Sequence, residues 1–98
     1  MVLTQLEGTV TPELWDALKQ AYRAEMNHPL PPYILQTYLV QDSVNSEIWR
    51  ILTVWHSRQA LMDYRASVET PSGVLMFRAA GTEPALTIFD VIDRSQDG

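Results

Sequence analysis

His56 is the side chain in this sequence best placed by type to move a proton, because an imidazole titrates near neutral pH and can serve as a general base. No Asp or Glu stands at a spacing that would complete a relay with it. A lone His at the end of a strand is more often a hydrogen-bonded structural or rim residue. Arg50 lies in an otherwise apolar run, IWRILTVW, where it could bind an anion. The favoured reading is an ion pair, since an unpaired buried charge is costly. Glu7 and Asp90 are its candidate partners, with Glu7 preferred. Trp15, Tyr22, Tyr38, Trp49, Tyr64 and Phe77 could line a pocket for an aromatic molecule, or they could simply fill a small core. There is no Gly-rich phosphate loop, no metal-ligand cluster and no nucleophile elbow.

Composition narrows the function classes. At 98 residues the chain makes one domain, 1–98, and association is a common way for so small a chain to add core. The apolar set is 46% and charged residues are 19%, a globular balance. A net charge of −5, with the basic residues scattered, argues against nucleic acid as a partner. With no Cys there is no disulfide, thiolate nucleophile or Cys-ligated metal. No run approaches the ~20 apolar residues of a membrane span. The start, MVLTQLEGTV, has no basic segment followed by a continuous apolar one, so no signal peptide is read and the expected location is the cytoplasm.

The elements that must hold these residues follow from periodicity. Val2 to Val10 alternates as a strand, with Val2, Thr4, Leu6, Gly8 and Val10 on one face; Gly8 suggests a bulge or a close backbone approach. Thr11-Pro12-Glu13 starts a helix with Thr11 as cap, and Leu14, Leu18, Ala21, Tyr22 and Met26 form its apolar stripe, Trp15 flanking it. Pro29 ends it. Tyr33 to Gln41 and the run from Glu47 form a hairpin around the turn-rich DSVNS. Ser57 caps a second helix, with Leu61, Tyr64 and Val68 on its buried stripe. Val74 to Ala80 stays undecided between a helix and an irregular segment. Ala85 to Ile92 is the last strand, and a polar tail that frays begins near Arg94.

This order, βαββαβ, predicts an α+β ferredoxin-like fold: a four-stranded antiparallel sheet with the helices on one face. In the Glu47 strand Trp49, Ile51, Thr53 and Trp55 share one side, and Ile48, Arg50, Leu52, Val54 and His56 the other. A sheet with one wet face should alternate more cleanly. The expectation is therefore a homodimer that covers the second face with its own copy.

The chain resembles the dimeric α/β-barrel superfamily, in particular the antibiotic-biosynthesis-monooxygenase-like domains. The residues that carry the likeness are Trp49 to Ser57, then Arg58, Ala60 and Leu61, with Thr70-Pro71, Phe77 and the strand Leu86 to Val91 in matching places. The resemblance spans nearly the whole chain. It implies a homodimeric barrel and a ligand pocket between sheet and helices that Trp55 can line. It also implies a range of activities, from cofactor-free oxygenases of quinol-like aromatics to haem-degrading enzymes and isomerases. The haem-degrading branch needs a His in the second helix, where Tyr64, Arg65 and Ala66 stand. It also needs an Asn on the first strand, where Thr4, Gln5 and Leu6 stand, so this branch is disfavoured. His28 reads as a helix-end residue. The leading expectation is a monooxygenase acting on a small aromatic, with no bound cofactor and no metal. Trp55, Trp15, Tyr22 and Phe77 would bind the substrate, and His56, Tyr64 and Thr53 would assist deprotonation. The alternatives are a non-catalytic dimeric binding or assembly protein and an isomerase-type enzyme.

Overall fold

The computed structural model describes residues 1–95. Four strands, β1 (Val2–Thr9), β2 (Ile34–Gln41), β3 (Ile48–Trp55) and β4 (Ala85–Asp90), form one antiparallel sheet in the order β2-β3-β1-β4. Three helices accompany them: α1 (Trp15–Met26), α2 (Arg58–Ser67) and α3 (Ser72–Ala79). This is the ferredoxin-like arrangement expected from the element order. The segment left undecided between Val74 and Ala80 is α3, which starts directly after Pro71. No helix among the described residues is long and apolar enough to cross a membrane.

Local chemistry sets the boundaries. Pro12 sits in a single 3-10 turn, Pro12–Leu14, and the chain enters α1 from there. Thr11 does not cap with its side chain as expected; its carbonyl accepts from the Leu14 N–H at 2.9 Å, so the tight turn satisfies the backbone instead. Ser57 does cap α2, its Oγ accepting from the Ala60 N–H at 3.0 Å. Val68 departs from expectation: its backbone is extended, φ −124° and ψ 146°, so α2 stops one residue short of it. The β2–β3 turn is held by Asp42, whose Oδ1 accepts from the N–H groups of Val44 (2.9 Å) and Asn45 (2.8 Å). β4 ends at Asp90 rather than Ile92, although the Val91 N–H still donates to the Met1 carbonyl at 3.1 Å. Of the tail expected from Arg94, residues 96–98 lie outside the described residues.

The core forms as two clusters on the helix side of the sheet. Val10, Leu18, Trp49, Ile51, Met76, Phe77 and Ala80 pack together beneath α1 and α3. Val2, Trp55 and Leu61 pack beneath α2. Gly8 is the close approach its position in a strand suggested: β1 pairs with β3 in unbroken register there, and a Cβ on Gly8 would lie 2.8 Å from Phe77 Cδ1. On the opposite face the registers align Leu3 with Val54 and Phe89, and Tyr38 with Leu52. Tyr38 is 47% exposed and Phe89 44%. Apolar side chains therefore stand on both sides of this sheet.

Candidate active site

Between the two core clusters lies a cavity of about 360 Å³, within the range of small-molecule sites. Ile51 and Met76 of the first cluster wall one side, and Trp55 and Leu61 of the second wall the other. Its floor is the inner face of the sheet, including Thr4, Leu6, Thr37 and Thr53. The two-residue period of the strands puts these residues on the inner side. The rest of the wall comes from the end of α1, the stiff connector through Pro29 and Pro31, and the first turn of α3.

Polar groups inside are hydroxyls and one indole, nearly all partnered. Trp55 Nε1 donates to Thr4 Oγ1 at 2.9 Å, and both residues are buried. The Trp55 ring stacks on Tyr33 at 6.1 Å and 9° and tilts against Tyr64 at 5.3 Å. Tyr64 Oη donates to Ser72 Oγ at 3.2 Å and accepts from the Ser72 N–H at 3.0 Å, which ties α2 to α3 across the cavity wall. Thr37 and Thr53, directly opposite in the β2–β3 register, bring their hydroxyls within 3.4 Å. The ionisable side chains of the rim, Glu25, His28 and Arg65, are all exposed. Among the described residues no three His, Asp or Glu come together as metal ligands.

The structure brings together four of the residues singled out in the sequence: Thr53, Trp55, Tyr22 and Tyr64 all line the cavity. It places three others, His56, Phe77 and Trp15, outside the cavity lining. His56 is exposed outside the lining, because the strand alternation that turns Trp55 inward turns its neighbour away. Phe77 is fully buried in the first core cluster, where Gly8 admits it to the sheet. Trp15 is engaged in the same core, its Nε1 donating to the Val10 carbonyl at 2.8 Å and its ring 5.8 Å from Trp49. Tyr38 and Trp49 are outside the lining as well. Conversely, His28, expected only as a helix-end residue, lines the cavity. It stands two residues past the end of α1, its N–H donating to the Glu25 carbonyl at 3.3 Å.

Arg50 lies away from this cavity and makes the expected ion pair with Glu7, Nε to Oε1 at 2.7 Å. A second carboxylate, Asp42, meets Arg50 Nη1 at 3.0 Å, a partner the sequence did not suggest. Asp90, the other candidate, instead pairs with Arg58. The N–H groups of Asn45 and Val44, and then Arg50, hold the Asp42 carboxyl well below its usual range, at about 2.

No family model and no curated protein matches the sequence. The fold nevertheless has clear relatives among solved structures. A Deinococcus radiodurans protein named as a candidate antibiotic biosynthesis monooxygenase aligns over 100% of this chain and 99% of its own, with a TM-score of 0.75 at 13% identity. A protein named likewise from Nitrosomonas europaea aligns over 95% and 100%, with a TM-score of 0.68 at 13% identity. SnoaB, a cofactor-independent oxygenase from Streptomyces nogalater, aligns over 98% and 97%, with a TM-score of 0.63 at 13% identity. The fold is that of the antibiotic-biosynthesis-monooxygenase-like domains, as the run around Trp55 implied.

Proposed function

We propose that the chain is a cofactor-independent monooxygenase that takes a small quinol- or anthrone-type aromatic into the cavity between sheet and helices. The observation that carries this reading is the cavity itself: an apolar chamber walled by Trp55, Tyr22 and Tyr64, with threonine hydroxyls on its floor. Likeness of fold to proteins named as oxygenases supports it. In such a reaction the ring supplies the electrons. Loss of a proton gives a carbanion that passes electrons to dioxygen. The methylene then becomes a carbonyl, one oxygen atom entering the product and the other leaving as water. The protein's part is to desolvate the ring and to place hydroxyl donors near the developing oxyanion.

Oxygen uptake measured over a panel of quinols and anthrones tests the proposal. Uptake above the spontaneous rate is expected with the native chain and should fall with Trp55→Phe. His56→Ala should behave as the native chain, since that ring stands outside the cavity. No uptake with any member of the panel would overturn the enzymatic reading. One observation then favours a non-catalytic binding protein: the inner polar groups are neutral hydroxyls, and every charged lining residue is on the rim.

The same reading includes a homodimer joined through the sheet face away from the helices. Leu52 and Val54 are only half-covered there, and Tyr38 and Phe89 are exposed. An apolar patch of that extent on a small chain favours association, and a two-fold axis would set it against itself. Sedimentation at micromolar concentration should give a dimer; a monodisperse monomer would refute it.

A further inference from the structure

We infer that the cavity takes an aromatic acid, with its ring inside and its anionic group held at the mouth by Arg65. This rests on the reading of the cavity as a ligand site and adds the substrate class. Among the described residues Arg65 is the only Lys or Arg in the lining, placed there by the last turn of α2. It is also a free charge. Lys19 is paired with Asp16, Arg50 with Glu7 and Asp42, Arg58 with Asp90, and Arg78 with Glu83; Arg23 and Arg94 make no ion pair among the described residues either, but both stand outside the lining. Among the described residues Arg65 has no such partner, and Glu25 on the same rim does not pair with it.

The ligand's shape follows from the walls. A flat ring gains by displacing water from the apolar interior, where the hydroxyls of Thr4, Tyr64 and Ser72 already have partners. A charge carried into that interior would find no countercharge, and its desolvation would oppose binding. The same charge at the mouth meets a guanidinium whose planar fork matches a carboxylate. The carbonyl end of α2 near Arg65 disfavours an anion, and the first turn of α3, with Ser72 and Gly73 in the same wall, opposes that field. The protein's net charge of −5 is screened beyond ~8 Å at physiological salt and does not decide the matter at contact distance.

Quenching of tryptophan fluorescence by 2-naphthoate and by its neutral analogue 2-naphthamide tests the assignment. The native chain should bind naphthoate about five-fold more tightly than naphthamide, the scale of a partly exposed Arg–carboxylate pair. Arg65→Gln should abolish that preference, bringing the two dissociation constants level, and Arg65→Lys should retain part of it. Equal binding of the two probes by the native chain would overturn the anchor and leave the cavity reading standing. A preference that survives Arg65→Gln would overturn it in favour of another group of the lining, such as His28. Failure of both probes to bind would overturn the aromatic-acid assignment, while oxygen uptake with the quinol and anthrone panel would still decide the cavity reading.

Discussion

The Trp55–Thr4 hydrogen bond is the contact on which the cavity wall depends most directly, and a double-mutant cycle can measure it. Thr4→Val keeps the shape of the side chain but removes the acceptor at 2.9 Å, leaving a buried indole N–H without its partner. The cost of an orphaned donor is about 1–2 kcal/mol, at the low end here because the indole borders a cavity that water can enter. Trp55→Phe removes the donor and also part of a ring packed on Tyr33 and Tyr64, for a cost of about 2–3 kcal/mol. With both changes the hydrogen bond is lost only once, so the double variant should be about 1 kcal/mol more stable than additivity predicts. Urea unfolding at one fixed protein concentration is the assay, with the slope checked for constancy so that midpoints compare as stabilities. Additivity to within ~0.3 kcal/mol would refute the reasoning, because residues in direct contact should couple. Thr4→Val also frees the indole N–H toward the cavity. A naphthoquinone, which accepts hydrogen bonds, should therefore bind that variant more tightly than it binds Trp55→Phe.

Gly8→Ala should cost about 2 kcal/mol in urea unfolding, because its Cβ would press on the buried Phe77 ring at 2.8 Å. Gly73→Ala should change stability by less than ~0.5 kcal/mol, since the atom it meets is the tip of Leu6 beside the cavity and Ala is favoured in a helix. That variant should instead weaken naphthamide binding as Leu6 moves into the space. Asp42 has its carboxyl lowered from 3.8 to about 2, so its contribution is full above pH ~4 and is lost as pH falls toward 2. The stability gap between the native chain and Asp42→Asn should be constant above pH ~4 and close below it; a gap that persists to pH 2 would contradict the assignment. Arg50→Leu strands Glu7 and Asp42 on the proposed dimer face. It should raise the dimer dissociation constant about ten-fold while leaving naphthamide binding unchanged.

Much of the fold was determined by the chain's local pattern. Alternation in Val2 to Val10 and in the run through Trp55 specified which side of each strand faces the helices, because a strand's side chains alternate without exception unless a bulge intervenes. Ser57 announced α2, and the apolar character of both faces of β3 was plain in its residues. The preference of Arg50 for Glu7 followed from topology alone, since β1 and β3 are neighbours in this order and the two residues fall opposite each other. What only the tertiary structure decided was the use of the aromatic side chains. Periodicity put Tyr22 and Trp55 on inward faces, set Trp15 on a flank and left the segment of Phe77 undecided, so it could not separate core from cavity. That separation depends on how far apart the two clusters stand, which is a distance between elements far apart in sequence. The same cause hid His28, Arg65 and Asp42. Asp42 sits in a turn and meets Arg50 on β3, while His28 and Arg65 sit at the ends of different helices, and only packing brings those ends to one cavity rim.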